Sequence, residues 1–147
     1  MLEKRFQEDA SESKNEYSGH REVEKAFFEK GVYELLGSRE YRIVQEGKIK
    51  GKRFDGLAIS EIDSKDNIFA VKWWHNYRNM EAIGSACRRL NAAKKSYEEV
   101  TNRECEARIV IITLRIFEDR MKKWVDDIPR KIDTYGFKIQ VMAEEDL

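Results

Sequence analysis

The chain has 147 residues, 41% of them hydrophobic, which suits one domain with one core and excludes a large multidomain enzyme and wholesale disorder. Charged residues make up 38%, yet 28 Lys and Arg are matched by 28 Asp and Glu. No global positive field therefore draws the protein to nucleic acid or to an anionic membrane, and any such binding has to come from local patches.

Residues 1–17 are polar, with neither an apolar stripe nor the apolar core of a signal peptide, and read as a flexible charged arm. Ser18 is placed to cap a helix that ends at Leu36 before Gly37, with Val23, Phe27, Phe28, Val32, Leu35 and Leu36 on one stripe. Three strands are predicted next: Tyr41 to Glu46, Arg53 to Glu61 and Ile68 to Trp73. They are separated by a basic turn over Lys48–Lys52 and a second turn over Asp63–Asn67, and the short connections favour an antiparallel meander. Helical spacing returns over Tyr77 to Val100, where Tyr77, Met80, Ile83, Gly84, Cys87, Leu90 and Tyr97 share a stripe. Ala107 to Leu114 is an apolar strand of the kind covered on both faces. Phe117 to Thr134 is a further helix carrying Pro129 late in its length, Phe137 to Met142 is a last strand, and residues 143–147 form an acidic, frayed tail. The order α-βββ-α-β-α-β over residues 18–142 implies a single α/β domain, a mixed central sheet flanked by helices.

Cys87 and Cys105 make neither a disulfide framework nor, with only 2 His, a zinc site, and they read as small apolar residues in a reducing, cytoplasmic compartment. The longest aliphatic run, Ile109 to Ile112, is far too short to span a bilayer, so no membrane association is expected. Nucleotide-cradling GxxxxGK[ST] and GxGxxG loops and the GxSxG nucleophile turn are all absent.

One constellation carries chemistry. Phosphodiester hydrolysis with magnesium needs oxygen ligands held close together and a cation near the attacking water. Asp55 stands early in the second strand, on the side of Leu57 and Ile59. Lys72 ends the third strand on the same side as Ala70, because strand side chains alternate. Phe54-Asp55 and Ala70-Val71-Lys72, with the order of elements, resemble the PD-(D/E)XK nuclease superfamily, which includes restriction endonucleases and archaeal Holliday-junction resolvases. The resemblance implies a restriction-endonuclease-like fold and a DNA endonuclease using Mg2+ or Mn2+, with Asp55 and the acid at position 70 as metal ligands and Lys72 orienting water. It further implies the Val71 main-chain carbonyl as a ligand and a glutamate from the first helix. Of Glu22, Glu24 and Glu29, Glu24 fits because it lies on the buried stripe.

The chain departs from that pattern at Ala70, where the family carries Asp or Glu. It is either a natural degenerate member or one in which the acid was exchanged, and cleavage is expected to be weak or absent. A non-catalytic nucleic-acid-binding module of the same fold and a protein-interaction or assembly subunit are the alternative readings. Two basic clusters, Lys48, Lys50, Lys52 and Arg53, and Arg88, Arg89, Lys94 and Lys95, adjoin the proposed site and are expected to hold the backbone of duplex or branched DNA. A homodimer is expected by analogy with enzymes that make two strand cuts. Trp73 and Trp74 cannot share a face; core packing of both, with a twist of the chain, is the favoured reading, and one in the core with the other at a base-stacking or dimer surface is the alternative. Asp63 and Asp66 are read as turn residues, and His75 as a loop histidine.

Overall fold

Short loops join the first three strands, and helical crossovers join the last three. A computed structural model describes residues 19–147; the arm read over residues 1–17 and the Ser18 cap lie outside them. β1 (Tyr41–Ile49), β2 (Lys52–Ser60) and β3 (Lys65–Trp73) form the expected antiparallel meander. β4 (Glu104–Thr113) and β5 (Lys138–Ala143) continue it in parallel, in the order β1-β2-β3-β4-β5. Helix α1 covers 19–36, α2 (Met80–Thr101) links β3 to β4, and α3 (Glu118–Asp127) links β4 to β5. The chain is therefore a single α/β domain with a five-stranded mixed sheet and the element order the sequence implies. Among the described residues no helix is long and apolar enough to cross a membrane.

Both parallel crossovers step in the same direction across the sheet, so the right-handed rule places α2 and α3 on one face. α1 covers the other. Ile68, Ala70, Ile109 and Ile111 pack with Ile83, Cys87 and Leu90 of α2 and Met121 and Val125 of α3. Their alternating neighbours Phe69, Val71, Val110 and Ile112 pack with Phe27, Phe28 and Val32 of α1. Burial on both faces is why β3 and β4 read as near-continuous apolar runs.

Several boundaries differ from the sequence reading, each for a local reason. Lys48, Ile49 and Lys52 belong to the strands, because the hairpin closes with two residues, Lys50 and Gly51, at φ 49° and 75°. Left-handed backbone at both central positions matches the twist of paired strands. α2 begins after Asn79, whose side chain accepts the Ala82 N–H at 2.9 Å, so Tyr77 stands outside the helix, 45% exposed. Pro129 sits in a 3-10 turn, Ile128–Arg130, that closes α3 early. β4 starts at Glu104 and so contains Cys105; both cysteines are buried and free, with burial pushing Cys87 up to about 11 and Cys105 up to about 12. The acidic tail is tied down rather than frayed. Glu144 accepts from the Trp73 indole, Glu145 accepts the Arg115 N–H at 2.9 Å, and Lys30 reaches the Asp146 carbonyl at 3.1 Å.

Asp66 is the largest departure. It is not a turn residue but a fully buried member of β3. Its carboxylate accepts the Ser60 N–H at 2.9 Å and two Arg103 nitrogens at 2.7 Å each, together with the Tyr97 hydroxyl. Arg103 also reaches the Ser60 and Asp63 carbonyls at 3.1 and 2.9 Å, so one network joins β2, β3 and the end of α2. Burial pushes the Asp66 carboxyl up, but the bonds from Arg103, Tyr97 and Ser60 outweigh it and hold it below the usual range. The same contact, with burial, pushes Tyr97 up to about 12. A carboxyl depressed in the native state contributes stability above its ordinary pKa, about 4, and loses it as pH falls through the native value. Asp66→Ala is expected to lower unfolding free energy by about 3 kcal/mol at pH 7, with the gap to the parent narrowing below pH ~4 in urea titrations.

Candidate functional site

β2 and β3 pair through Gly56↔Phe69, Leu57↔Ile68 and Ala58↔Asn67, and the ladder stops there. Continued by one step, that register sets Asp55 opposite Ala70. At that step the Asp55 side chain replaces the backbone ladder, its Oδ2 accepting the Val71 N–H at 2.7 Å. A carboxylate thus satisfies a donor that the diverging strands would otherwise leave unpaired. In a strand the N–H and C=O of one residue face the same neighbour, so the Val71 carbonyl is turned toward the same splayed end.

α1 is keyed to this point. The Phe28 ring fills the space where a side chain at Gly56 would stand, with an added Cβ only 2.1 Å from the ring. Only glycine permits that approach, and it lies next to Asp55. Glu24 is one helical turn before Phe28, and the helix passes into a π-turn at Phe27–Gly31 directly afterwards. Glu24 is accordingly buried, at 6% exposure. One oxygen, Oε2, meets His20 Nε2 at 3.3 Å, whereas Oε1 is buried with no hydrogen-bond partner. Burial raises the Glu24 carboxyl above the usual range; the His20 contact opposes this, and the negative charges of Asp55 and Glu46 add to it. Glu46, on β1 between the Gln45↔Gly56 and Gly47↔Phe54 pairs, is in left-handed backbone at φ 53° and lines an open depression of about 330 Å3 with Arg21, Lys25 and Gln45.

Lys72 completes the group. It follows Ala70 on the α2 face of β3, and burial pushes its ammonium below the usual lysine range. Asp55 and Glu24 pull the other way, while Arg89 of α2 adds to the lowering. Asp55, Glu24 and Lys72 are therefore within electrostatic range of one another, and Ala70 is buried in the core facing α2. Among the described residues no three His, Cys, Asp or Glu side chains are disposed to hold a metal ion. Two carboxylates, one already engaged with the Val71 amide, fall short of the oxygen cage that magnesium requires, so the residues present do not fit that ion.

The basic clusters divide. Lys48 and Arg53 are an exposed cross-strand pair on the hairpin, and Lys52 is exposed beside them. Lys50 is instead tied to Glu99 of α2 at 2.9 Å, because the hairpin end folds over that helix and adds Ile49 and Phe54 to its core. The second cluster is split by the helical turn. The charge of Arg89 is felt at Lys72, Arg88 pairs with Glu81 at 2.7 Å, and Lys94 pairs with Glu98 at 3.0 Å. Lys94 and Lys95 line a separate groove of about 600 Å3 with Lys65, Glu104 and Tyr135, at the end of the sheet away from Asp55. Lys50, Arg88, Lys94 and Lys95 thus stand apart from the site that the sequence assigned them to.

Sequence reasoning missed His20, although it was legible as the i−4 neighbour of Glu24; Arg89, placed beside the site from the sequence, does act on Lys72. No protein-family model, curated protein or solved structure matches the chain.

Two stability measurements check the site. Asp55→Ala strands the Val71 N–H and is expected to cost about 1–3 kcal/mol in urea unfolding, whereas Asp55→Asn keeps an acceptor and most of the stability. A carboxyl raised in the native state favours folding below its ordinary pKa and loses that contribution as pH rises through the native value. Glu24→Gln is therefore expected to be about 1 kcal/mol more stable than the parent at pH 7, after solvent screening, and no more stable by pH ~4.

Proposed function

We propose that this chain is a DNA-endonuclease-like domain of PD-(D/E)XK type whose site engages a phosphodiester backbone but does not cleave it as written. The observation that carries the reading is the bond from the Val71 N–H to Asp55 Oδ2 where the β2–β3 ladder stops, with Glu24 and Lys72 within electrostatic range of that carboxylate. A structural salt bridge would be paired and satisfied, as Asp66 is. Here a carboxylate oxygen of Glu24 is orphaned and a half-buried lysine is held at a lowered pKa, both costly unless a ligand uses them. Lys72 and the neighbouring Arg89 supply positive charge for a phosphate, and Lys48, Lys52 and Arg53 extend it along the hairpin. Asp55 positions the Val71 amide and holds the strands apart. Position 70 offers no oxygen, so the chemistry stops at binding. This binding needs no divalent ion and weakens as salt rises.

Restoring an acid tests the reading. Ala70→Glu is expected to cut supercoiled or branched DNA with magnesium or manganese while the parent leaves it intact. Adding Lys72→Ala to that variant should lower the rate about a hundredfold or more. A folded Ala70→Glu protein that neither cuts DNA nor binds manganese would remove the reading's support.

A further inference from the structure

Rings and guanidinium groups crowd the segment that leaves β3 immediately after Lys72. Residues 74–79, Trp-His-Asn-Tyr-Arg-Asn, have no regular structure. Trp74 continues the row of Ala70 and Lys72, packing on the same core about 7 Å further along the chain. Its ring meets Trp124 of α3 edge-on at 6.4 Å, and Tyr77 lies against that same ring at 5.7 Å. Arg120 is held between two aromatic faces, 5.3 Å from Tyr77 and 5.0 Å from Phe117, and Arg78 covers Trp74 at 5.7 Å. Solvent reaches the patch at Tyr77, which is 45% exposed.

Arg88, Arg103, Arg108, Arg115 and Arg130 each pair with an acid, whereas among the described residues Arg78 and Arg120 lie over rings and make no ion pair. Guanidinium groups mounted on aromatic faces suit a ligand that is both flat and anionic. An aliphatic protein surface would cover these charges without neutralising them. A blunt duplex offers phosphates but keeps its base faces stacked inside. A strand with an unstacked base offers a ring to Tyr77 and phosphates to the two arginines.

We infer that this patch is a stacking platform for an unpaired base of a DNA strand whose backbone runs on to Lys72. The inference rests on the phosphodiester reading and narrows the ligand from DNA in general to DNA with a single-stranded or splayed segment. Trp74 closes the floor of the platform, Tyr77 presents the accessible face, and Arg78 and Arg120 clamp the flanking phosphates.

The test is fluorescence anisotropy of the full chain with a labelled single strand, a splayed-arm duplex and a blunt duplex of equal length, without divalent ions. Tyr77→Ala and Arg120→Gln should each weaken the single strand and the splayed arm about tenfold while changing the blunt duplex little, and Tyr77→Phe should restore binding. Tyr77 lies outside every helix and strand, and matched circular dichroism and melting midpoints confirm that the variants fold. Equal losses on all three oligonucleotides, or none, overturn the platform and leave the phosphodiester site standing. No binding of any oligonucleotide by the parent overturns both. Sedimentation velocity on the same samples covers the other occupant: a dimer lost in Tyr77→Ala with oligonucleotide affinity unchanged reassigns the patch to a second copy of the chain.

Discussion

The bond from the Val71 amide to the Asp55 carboxylate organises this molecule's candidate site. Two neighbouring strands that separate must leave backbone donors and acceptors behind, and such groups are costly in a half-buried position. Asp55 takes up the donor and thereby allows β2 and β3 to diverge without stranding it. The Phe28 ring seated on Gly56 fixes α1 next to Asp55, with Glu24 one helical turn earlier. Position 55 is therefore structural and chemical at once, since the carboxylate that keeps the strands apart is also the one that presses on Lys72 and Glu24.

The two ends of the sheet use the same residue types to opposite effect. At one end Asp66 is wholly buried and satisfied by Arg103, Tyr97 and the Ser60 amide, which hold its charge and pin α2 to the meander. At the other, Glu24 keeps an orphan oxygen and Lys72 is desolvated. The first arrangement stabilises the fold. The second lowers stability and is the usual condition of groups arranged for a ligand rather than for each other. The methyl group of Ala70 is consistent with both the incomplete ligand set and the persistence of the surrounding charges.

Adjacent tryptophans show how the sheet distributes surface features. Trp73 turns toward α1, where its indole donates to Glu144 and its ring meets His75, while Trp74 turns toward α2 and α3. The first helps to fasten the acidic tail, and the second floors an aromatic surface next to Lys72. One residue of chain separates the two environments, because successive strand side chains face opposite layers.

Period-two and helical spacing made the element order readable, and with it the antiparallel start, the two parallel crossovers and the placing of Ala70 on the face of β3 that packs against α2. Glu24 was legible from its offset to Phe27 and Phe28. Those features are local, and a residue's own neighbours in the chain encode them. What spacing could not encode was partnership at a distance. Asp66 sits in a stretch dense with turn residues, and only the approach of Tyr97 and Arg103 from α2 and beyond makes it a buried anchor. The second basic cluster is continuous in sequence, but helical rotation and length send Arg89 to the site, Arg88 to Glu81 and Lys94 and Lys95 to the far groove. The sequence determined which side chains share a face; tertiary packing decided which charges find a partner, because desolvation and ion pairing depend on what the rest of the chain brings within a few ångströms.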